Sequence, residues 1–195
     1  MEVRTIDYYN KNAKEYAQKT FDVDMSKLCD IFLKELKQGT QILDLGCGSG
    51  RDSKYFLSHG FDVYPVDGSK ELCKIASQNI GIEVEELLFD ELDFYKEFDG
   101  VWACASLLHV PMSELPVILA KIHQALRDDG VFFTCFKYGE GEEVREGKHY
   151  TDLTEEALQK LLQEQNFEVI DVFVTGDSIK DRDETKWVNA IGKRK

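Results

Sequence analysis

Three glycines at alternate positions, Gly46, Gly48 and Gly50, stand within the stretch Gln41–Asp52, QILDLGCGSGRD. An apolar run, Ile42, Leu43 and Leu45, precedes them and has the length of a buried strand. The residues after them, Asp52 to Leu57, read as helix. A strand, a glycine turn and a helix start in succession form a nucleotide-binding element. Glycine reaches positive φ and lets a ligand approach where a Cβ would stand. The helix start offers unpaired N–H groups. A carboxylate follows at Asp67, at the end of a second apolar run, Phe61–Val66. It lies roughly twenty residues beyond the loop, where a doubly wound fold places an acid to hold ribose hydroxyls. One carboxylate can accept from two vicinal hydroxyls at once.

The glycine spacing narrows the nucleotide. A dinucleotide fingerprint needs G-x-G-x-x-G, whereas here the order is G-x-G-x-G and Arg51 takes the place of the third fingerprint glycine. That counts against an NAD-dependent oxidoreductase. No G-x-x-x-x-G-K-[ST] occurs, so a P-loop is excluded.

These groups need a frame. Residues 1–38 precede the nucleotide-binding half. Tyr8–Ala17 reads as a helix on which Tyr9, Ala13 and Tyr16 share a face, with Tyr8 on the adjoining one. Asp24-Met25-Ser26 opens a second helix through Leu28, Ile31, Phe32, Leu33 and Leu36, stopped at Gly39. Ser69 caps a helix to Asn79, with Gly81 as its stop. Ile82–Glu85 is a weak third strand and Asp99–Cys104 a fourth. A helix from Ser113 to about Leu126 leads to a continuous apolar fifth strand, Val131–Phe136. Residues 139–152 are expected to be a long polar loop, either a lid or a mobile segment. A helix from Thr154 to Gln165, a strand from Phe167 to Thr175, a charged loop and a closing strand at Trp187–Ile191 complete the chain.

The 195 residues fit one domain with a full core, 1–195, of which 39–195 is the α/β part. No apolar stretch reaches 18 residues, so no membrane span is expected. No secretory signal is visible, which points to a cytoplasmic protein. The net charge of -13 disfavours broad binding to nucleic acid or anionic membranes. The five cysteines are odd in number and lack a C-x-x-C pair; they read as reduced, packed thiols. The four histidines lack ligand spacing, so no metal is expected.

The pattern D-L-G-C-G-S-G from Asp44 to Gly50 resembles the first motif of the class I S-adenosylmethionine (SAM) dependent methyltransferases. Val66-Asp67-Gly68-Ser69 is similar to that family's second-strand acid. Phe98–Ala103 is similar to its fourth strand, and Leu126–Val131 to its turn into the fifth. The matches cover about residues 40–137 in order. The small ubiquinone-biosynthesis-like and tellurite-resistance-like groups are the most similar, and they do not fix a substrate. The resemblance implies a Rossmann-like, doubly wound, seven-stranded, mostly parallel sheet with an antiparallel last strand and helices on both faces. It implies SAM as cofactor, S-adenosylhomocysteine as product and a small-molecule acceptor. Methylation of a protein or RNA group, and a SAM-binding protein without catalysis, are the alternatives; oligomeric state is left open.

Residue by residue, the resemblance implies cofactor contacts from Asp44, Gly46, Cys47, Gly48, Gly50, Arg51, Asp67, Gly68, Ser69 and Ala103. Glu91 with Leu92 is expected at the adenine, in competition with Asp90 and Asp93. The helix bearing YYNKNAKEYA resembles the family's N-terminal lid, with Tyr8 and Tyr16 as contacts to the cofactor. His109, beyond the fourth strand, is the candidate general base or acceptor-orienting group. Lys137, Tyr138, His149, Tyr150, Arg182 and Trp187 are candidates for the acceptor pocket. The fourth strand runs into A-S-L-L rather than N-P-P-Y, which argues against base-amine methylation of DNA, and no cysteine nucleophile motif for ring-carbon methylation is present.

Overall fold

The structure, a computed structural model, describes residues 3–37, 39–179 and 184–195. Its elements in order are α1 (Val3–Thr20), α2 (Ser26–Leu33), β1 (Gln41–Leu45), α3 (Arg51–Ser58), β2 (Asp62–Asp67), α4 (Lys70–Ile80), β3 (Glu85–Glu86), β4 (Phe98–Ala103), α5 (Leu115–Ala125) and β5 (Leu126–Lys137). They continue with β6 (Gly141–Arg145), β7 (Lys148–Asp152), α6 (Glu155–Glu164), β8 (Phe167–Gly176) and β9 (Lys186–Arg194).

Seven strands form one sheet in the order β3-β2-β1-β4-β5-β9-β8. All run parallel except β9, which lies antiparallel between β5 and β8. Successive residues of a strand point to opposite faces, and the central strands divide their apolar side chains accordingly. Leu43, Val101 and Phe132 pack with α5 and α6, while Ile42, Trp102 and Phe133 pack with α2 and α3. On the second face, Trp102 stacks on Phe133 with ring centroids 4.0 Å apart, and Phe32 meets Trp102 at 5.2 Å. This face closes so tightly over Gly100 that a Cβ there would stand 2.7 Å from the Phe32 ring.

Local signals set the helix ends. The Ser69 hydroxyl accepts from Leu72 N at 3.3 Å and opens α4, and Gly81 closes it in the left-handed conformation. Thr154 opens α6 in the same way. The α2 entry is held by Asp24, whose carboxylate accepts from Ser26 N at 2.9 Å.

Two expectations need correction. The third strand is only Glu85–Glu86, displaced from 82–85, because a single parallel pairing with Val66 and Asp67 is all that supports it. The expected loop at 139–152 is a hairpin: β6 and β7 pair from Gly141↔Asp152 to Arg145↔Lys148. Its two-residue turn, Glu146-Gly147, has positive φ at both positions (51° and 81°), the geometry that matches strand twist. The dense charges of β6 hide its alternation from a hydrophobic pattern.

Gly46 shows how little room the loop has. Its φ is 81°, and a Cβ would stand 2.5 Å from that of Ser106, whose hydroxyl is tied to Leu45 O at 2.7 Å. Gly46→Ala is expected to lower stability by about 2–3 kcal/mol in urea titrations, from left-handed strain and overpacking. Gly176→Ala, where nothing lies within 4 Å of the added carbon, should leave the midpoint unchanged.

Candidate active site

The carboxyl ends of β1, β2 and β4 meet at a cleft of about 390 Å³ including its open mouth. Gly46, Gly48 and Gly68 supply backbone to its floor, with Asp67 between them. Leu72, Phe89 and Ile6 make one apolar end. Tyr9, Tyr16, Ala105, Ser106 and His109 line the other.

Asp67 is buried, and one carboxylate oxygen accepts from Gly48 N at 2.9 Å, the other from Ser69 N at 2.8 Å. Burial pushes its pKa up to about 6, and the two amide bonds pull in the opposite sense. A carboxylate offers about four lone-pair sites, so Asp67 retains acceptor capacity toward the cleft. Below the loop, Asp44 accepts from Ser53 Oγ at 2.6 Å. Burial, and then the neighbouring Asp52, raise it to about 8. Asp52 in turn binds Arg51 through two bonds of 2.7 and 2.8 Å and takes the Trp102 indole N–H at 2.9 Å. A separate hollow between the α1–α2 connection and α3, lined by Phe21, Met25, Arg51 and Tyr55, exposes this ion pair and none of the cleft's other groups.

α1 lies across the cleft and is pinned along its length. Thr5 Oγ1 accepts from His149 N at 3.1 Å, and Asn10 Oδ1 accepts from Ser69 Oγ at 2.8 Å and Glu71 N at 3.2 Å. Tyr9 reaches His109 Nε2 at 2.8 Å, while His109 Nδ1 lies 2.6 Å from the His149 carbonyl. A carbonyl only accepts, so Nδ1 carries the proton, Nε2 presents its lone pair and the Tyr9 hydroxyl donates to it. Burial lowers His109 to about 4, with Lys148 and Lys137 among the charges that add to the effect. It is therefore a neutral imidazole at pH 7.

Other expected site residues are placed as follows. Tyr16 lies against Gly48, its ring carbon 3.2 Å from where a Cβ would sit, and edge-on to Tyr9 at 5.2 Å. Tyr8 is turned out of the cleft, under Lys148 Nζ at 4.3 Å, because helix phase gives the inward face to Tyr9. The Cys47 side chain packs with Cys73, Ala76 and Val84. Gly50 faces Ile80 and Ala76, and Ala103 is buried in the sheet two residues short of the cleft. Glu91 folds back onto Leu88 N at 2.9 Å and Leu92 is in the core, so neither side chain faces the cleft. His149 is buried, with Nε2 3.1 Å from Thr151 Oγ1 and 3.2 Å from Glu142. Lys137 Nζ sits 4.5 Å from the Tyr150 ring centroid, and Tyr150 is edge-on to His109 at 4.9 Å. Tyr138 is exposed, and Trp187 donates to Asp177 at 3.2 Å. Arg182 lies outside the described residues. Ala105 and Ser106 line the cleft within the stretch from Ala103 to His109 expected there, whereas Tyr9, Ile6, Leu72 and Phe89 line it without having been expected; the shared face of Tyr9 and Tyr16 was the available signal for the first.

Residues 42–130 match the family profile described as a methyltransferase domain. The chain is 25% identical over 134 residues to an uncharacterized methyltransferase of Alkaliphilus oremlandii, a match covering 67% of this chain and 61% of that one. It is 36% identical over 94 residues to the sarcosine/dimethylglycine N-methyltransferase of Aphanothece halophytica, covering 44% of this chain and 34% of the relative. It thus spans less than two thirds of either relative. Its fold is similar to the Burkholderia thailandensis 1,6-didemethyltoxoflavin-N1-methyltransferase, solved with that compound and S-adenosylhomocysteine bound. The TM-score is 0.83 at 24% identity, over 98% of this chain and 87% of that one. The strand order and the family match define a class I methyltransferase fold. Residues 42–130 are thus similar to a methyltransferase domain, and the whole chain shares the fold of solved methyltransferases.

The raised pKa values have a measurable sign. Asp67 binds its proton more tightly folded than unfolded, so the unliganded protein loses stability as pH rises from about 4 to 6, by roughly 3 kcal/mol. Asp44 extends the loss toward pH 8. In denaturant titrations across this range, Asp67→Asn should remove its share of the slope between pH 4 and 6, about half of it, and leave the slope between 6 and 8.

Proposed function

We propose that the protein transfers a methyl group from SAM to a small-molecule acceptor. The observation that carries the reading is the meeting, in one cleft, of a buried acid at the end of β2, glycine backbone at the end of β1 and two tyrosine rings beside a neutral histidine. The bound cofactor of the structurally similar Burkholderia protein supports it.

The residues present fit SAM. Asp67 would accept from the ribose hydroxyls with its remaining lone pairs. Gly46, Gly48 and Gly68 leave backbone where a side chain would block approach. Ile6, Leu72 and Phe89 offer an apolar seat for a base, and the faces of Tyr9 and Tyr16 attract a cation. SAM supplies a methyl group already activated on a positive sulfur. The chain's task is to align, to exclude water and to handle a proton where the acceptor has one. α1 does the excluding. His109 holds Tyr9 in place; its Nε2 becomes available to an acceptor proton only when the Tyr9 hydroxyl yields it.

We read residues 1–195 as one domain, with 1–38 as the lid segment. On the acceptor side we place His109, Lys137, Tyr150 and the His149 carbonyl that orients His109. No described helix is long and apolar enough to cross a membrane. The five free cysteines accord with a cytoplasmic location.

A thermal-shift titration separates the cofactor classes. SAM and S-adenosylhomocysteine at a hundred times their Kd should raise Tm by about 5–10 °C, and NAD and NADP should not; the opposite result would overturn the reading. For the lid, SAM should slow hydrogen exchange of α1 amides. Tyr9→Phe, which leaves the buried His109 Nε2 unpaired, should speed that exchange in the unliganded protein and cost about 1–3 kcal/mol.

A further inference from the structure

All five cysteines carry free thiols; four are buried, and Cys104 is only half-buried. Its sulfur lies 3.7 Å from that of Cys135. The two residues come from neighbouring strands. β4 and β5 run parallel with Ala103 opposite Thr134, and Cys104 and Cys135 follow directly. Both pack in the apolar cluster of Trp102 and Phe133, on one face of the sheet. Neighbouring strands lie about 4.8 Å apart, within the Cα separations that a disulfide spans, roughly 4.4–6.8 Å. Strand register thus puts two thiols within bonding reach.

The pair is tied to the cleft. Ala105 N donates to Cys135 Sγ at 3.1 Å, and Ala105 and Ser106 line the cleft. Ala105 has a φ of 52°, in the left-handed region that residues with a Cβ seldom occupy. Such a conformation persists only where its surroundings hold it. Two bonds do so here: Cys135 Sγ takes the Ala105 amide, and Leu45 O takes the Ser106 hydroxyl at 2.7 Å. His109 N then closes the turn onto Ser106 O at 3.2 Å. Arg51 and Asp52 on α3 and Tyr16 on α1 interact electrostatically with Cys104. The Cys104 thiol is held well above the usual thiol pKa, first by its hydrogen bond with Cys135 and then by burial. Exchange at this thiol is therefore slow at neutral pH.

We propose that Cys104 and Cys135 form a redox-modified dithiol, and that joining them loosens the turn from Ala105 to His109 and weakens ligand binding in the cleft. The effect on the cofactor rests on the methyltransferase reading; the bond itself does not. The oxidant is a low-molecular-weight disulfide. The Cys104 thiolate attacks one of its sulfurs and expels the first small thiol. Cys135 then attacks the Cys104 sulfur of the mixed disulfide and expels the second. Two protein thiols are oxidised, one small disulfide is reduced to two thiols, and the two protons pass to the departing thiolates. The sulfurs must close from 3.7 Å to about 2.05 Å. A Cys135 sulfur that turns to Cys104 gives up its place beside the Ala105 amide, and left-handed Ala105 loses one of its two restraints. In a reducing compartment such a bond forms transiently and is reduced again, as a switch requires.

The test is incubation of the full chain with excess oxidised glutathione at mildly alkaline pH, followed by dithiothreitol. Peptide mass spectrometry should show Cys104 joined to Cys135 after the first step and both thiols restored after the second. On closure, hydrogen exchange of the Ala105 amide should quicken about tenfold. Calorimetry should show S-adenosylhomocysteine binding about tenfold more weakly. Dithiothreitol should reverse both changes. Cys104→Ala, which cannot form the bond, should bind S-adenosylhomocysteine within about twofold of wild type and keep that affinity through the oxidant. Absence of the bond, a glutathione that stays on Cys104, or a bond that leaves either the Ala105 exchange or the affinity unchanged would overturn the proposal. So would an equal loss of affinity in oxidised Cys104→Ala. Failure of the reduced wild type to bind S-adenosylhomocysteine would instead overturn the methyltransferase reading; the bond and the Ala105 exchange would then decide this proposal.

Discussion

A carboxylate buried between two backbone amides holds the cofactor end of this molecule together. Asp67 joins Gly48 of one loop to Ser69 of the next through bonds of 2.9 and 2.8 Å. Each amide belongs to a turn with no strand partner to satisfy it, and each is out of reach of bulk water. Removing the acid would strand both. The cost of burying the charge appears as its raised pKa. A group that sits uncomfortably in the unliganded protein is one whose position a ligand with hydroxyls can improve. Asp44, one strand away and also buried, takes the Ser53 hydroxyl, faces the charge of Asp52 and is displaced further, to about 8.

The second organising contact is that of α1 with the core. Alone, a helix carrying eight polar or charged residues besides its tyrosines in its last thirteen would have little reason to dock. It docks through one narrow stripe, Tyr9, Ala13, Tyr16 and Ala17, and through hydrogen bonds at Thr5, Asn10 and Thr20. Buried area there is modest, so the polar contacts carry much of the specificity. Such a helix opens at lower free energy than the sheet, which suits a cover over a site that must admit and release ligands.

What the amino-acid sequence disclosed and what it concealed follow from the range of the interactions. Glycines of the first turn, the acid of β2 and the caps Ser69, Gly81 and Thr154 act within a few residues of themselves, so type and spacing reveal them. The strand that inserts last was visible only through likeness to a known architecture, because nothing within Trp187–Ile191 states which neighbours it will take. Tyr8 and Glu91 show how placement departs from type and spacing. Each has suitable chemistry, but one is turned out by helix phase and the other is absorbed by its own turn at Leu88. The hairpin at 141–152 was concealed by its charges, although its Glu146-Gly147 turn was written in the chain. Lys137 and Lys148 meet at Tyr150 only through tertiary structure.

The place of β9 governs how the sheet can be assembled. Val131 pairs with Lys193 and Lys137 with Trp187, so β5 gains its outer neighbour only when a segment far along the chain returns to it. β8 is made earlier and cannot fill the gap, since its only partner in the sheet is β9 itself. Until then β5, buried throughout from Val131 to Phe136, presents an unpaired edge. During synthesis on a ribosome, the cofactor half can therefore form with one flank still open. Such a flank is the surface on which incomplete chains associate with one another or with chaperones. Closure of this protein is a late, non-local event, and the final strand acts as a key inserted into a slot that two earlier strands leave between them.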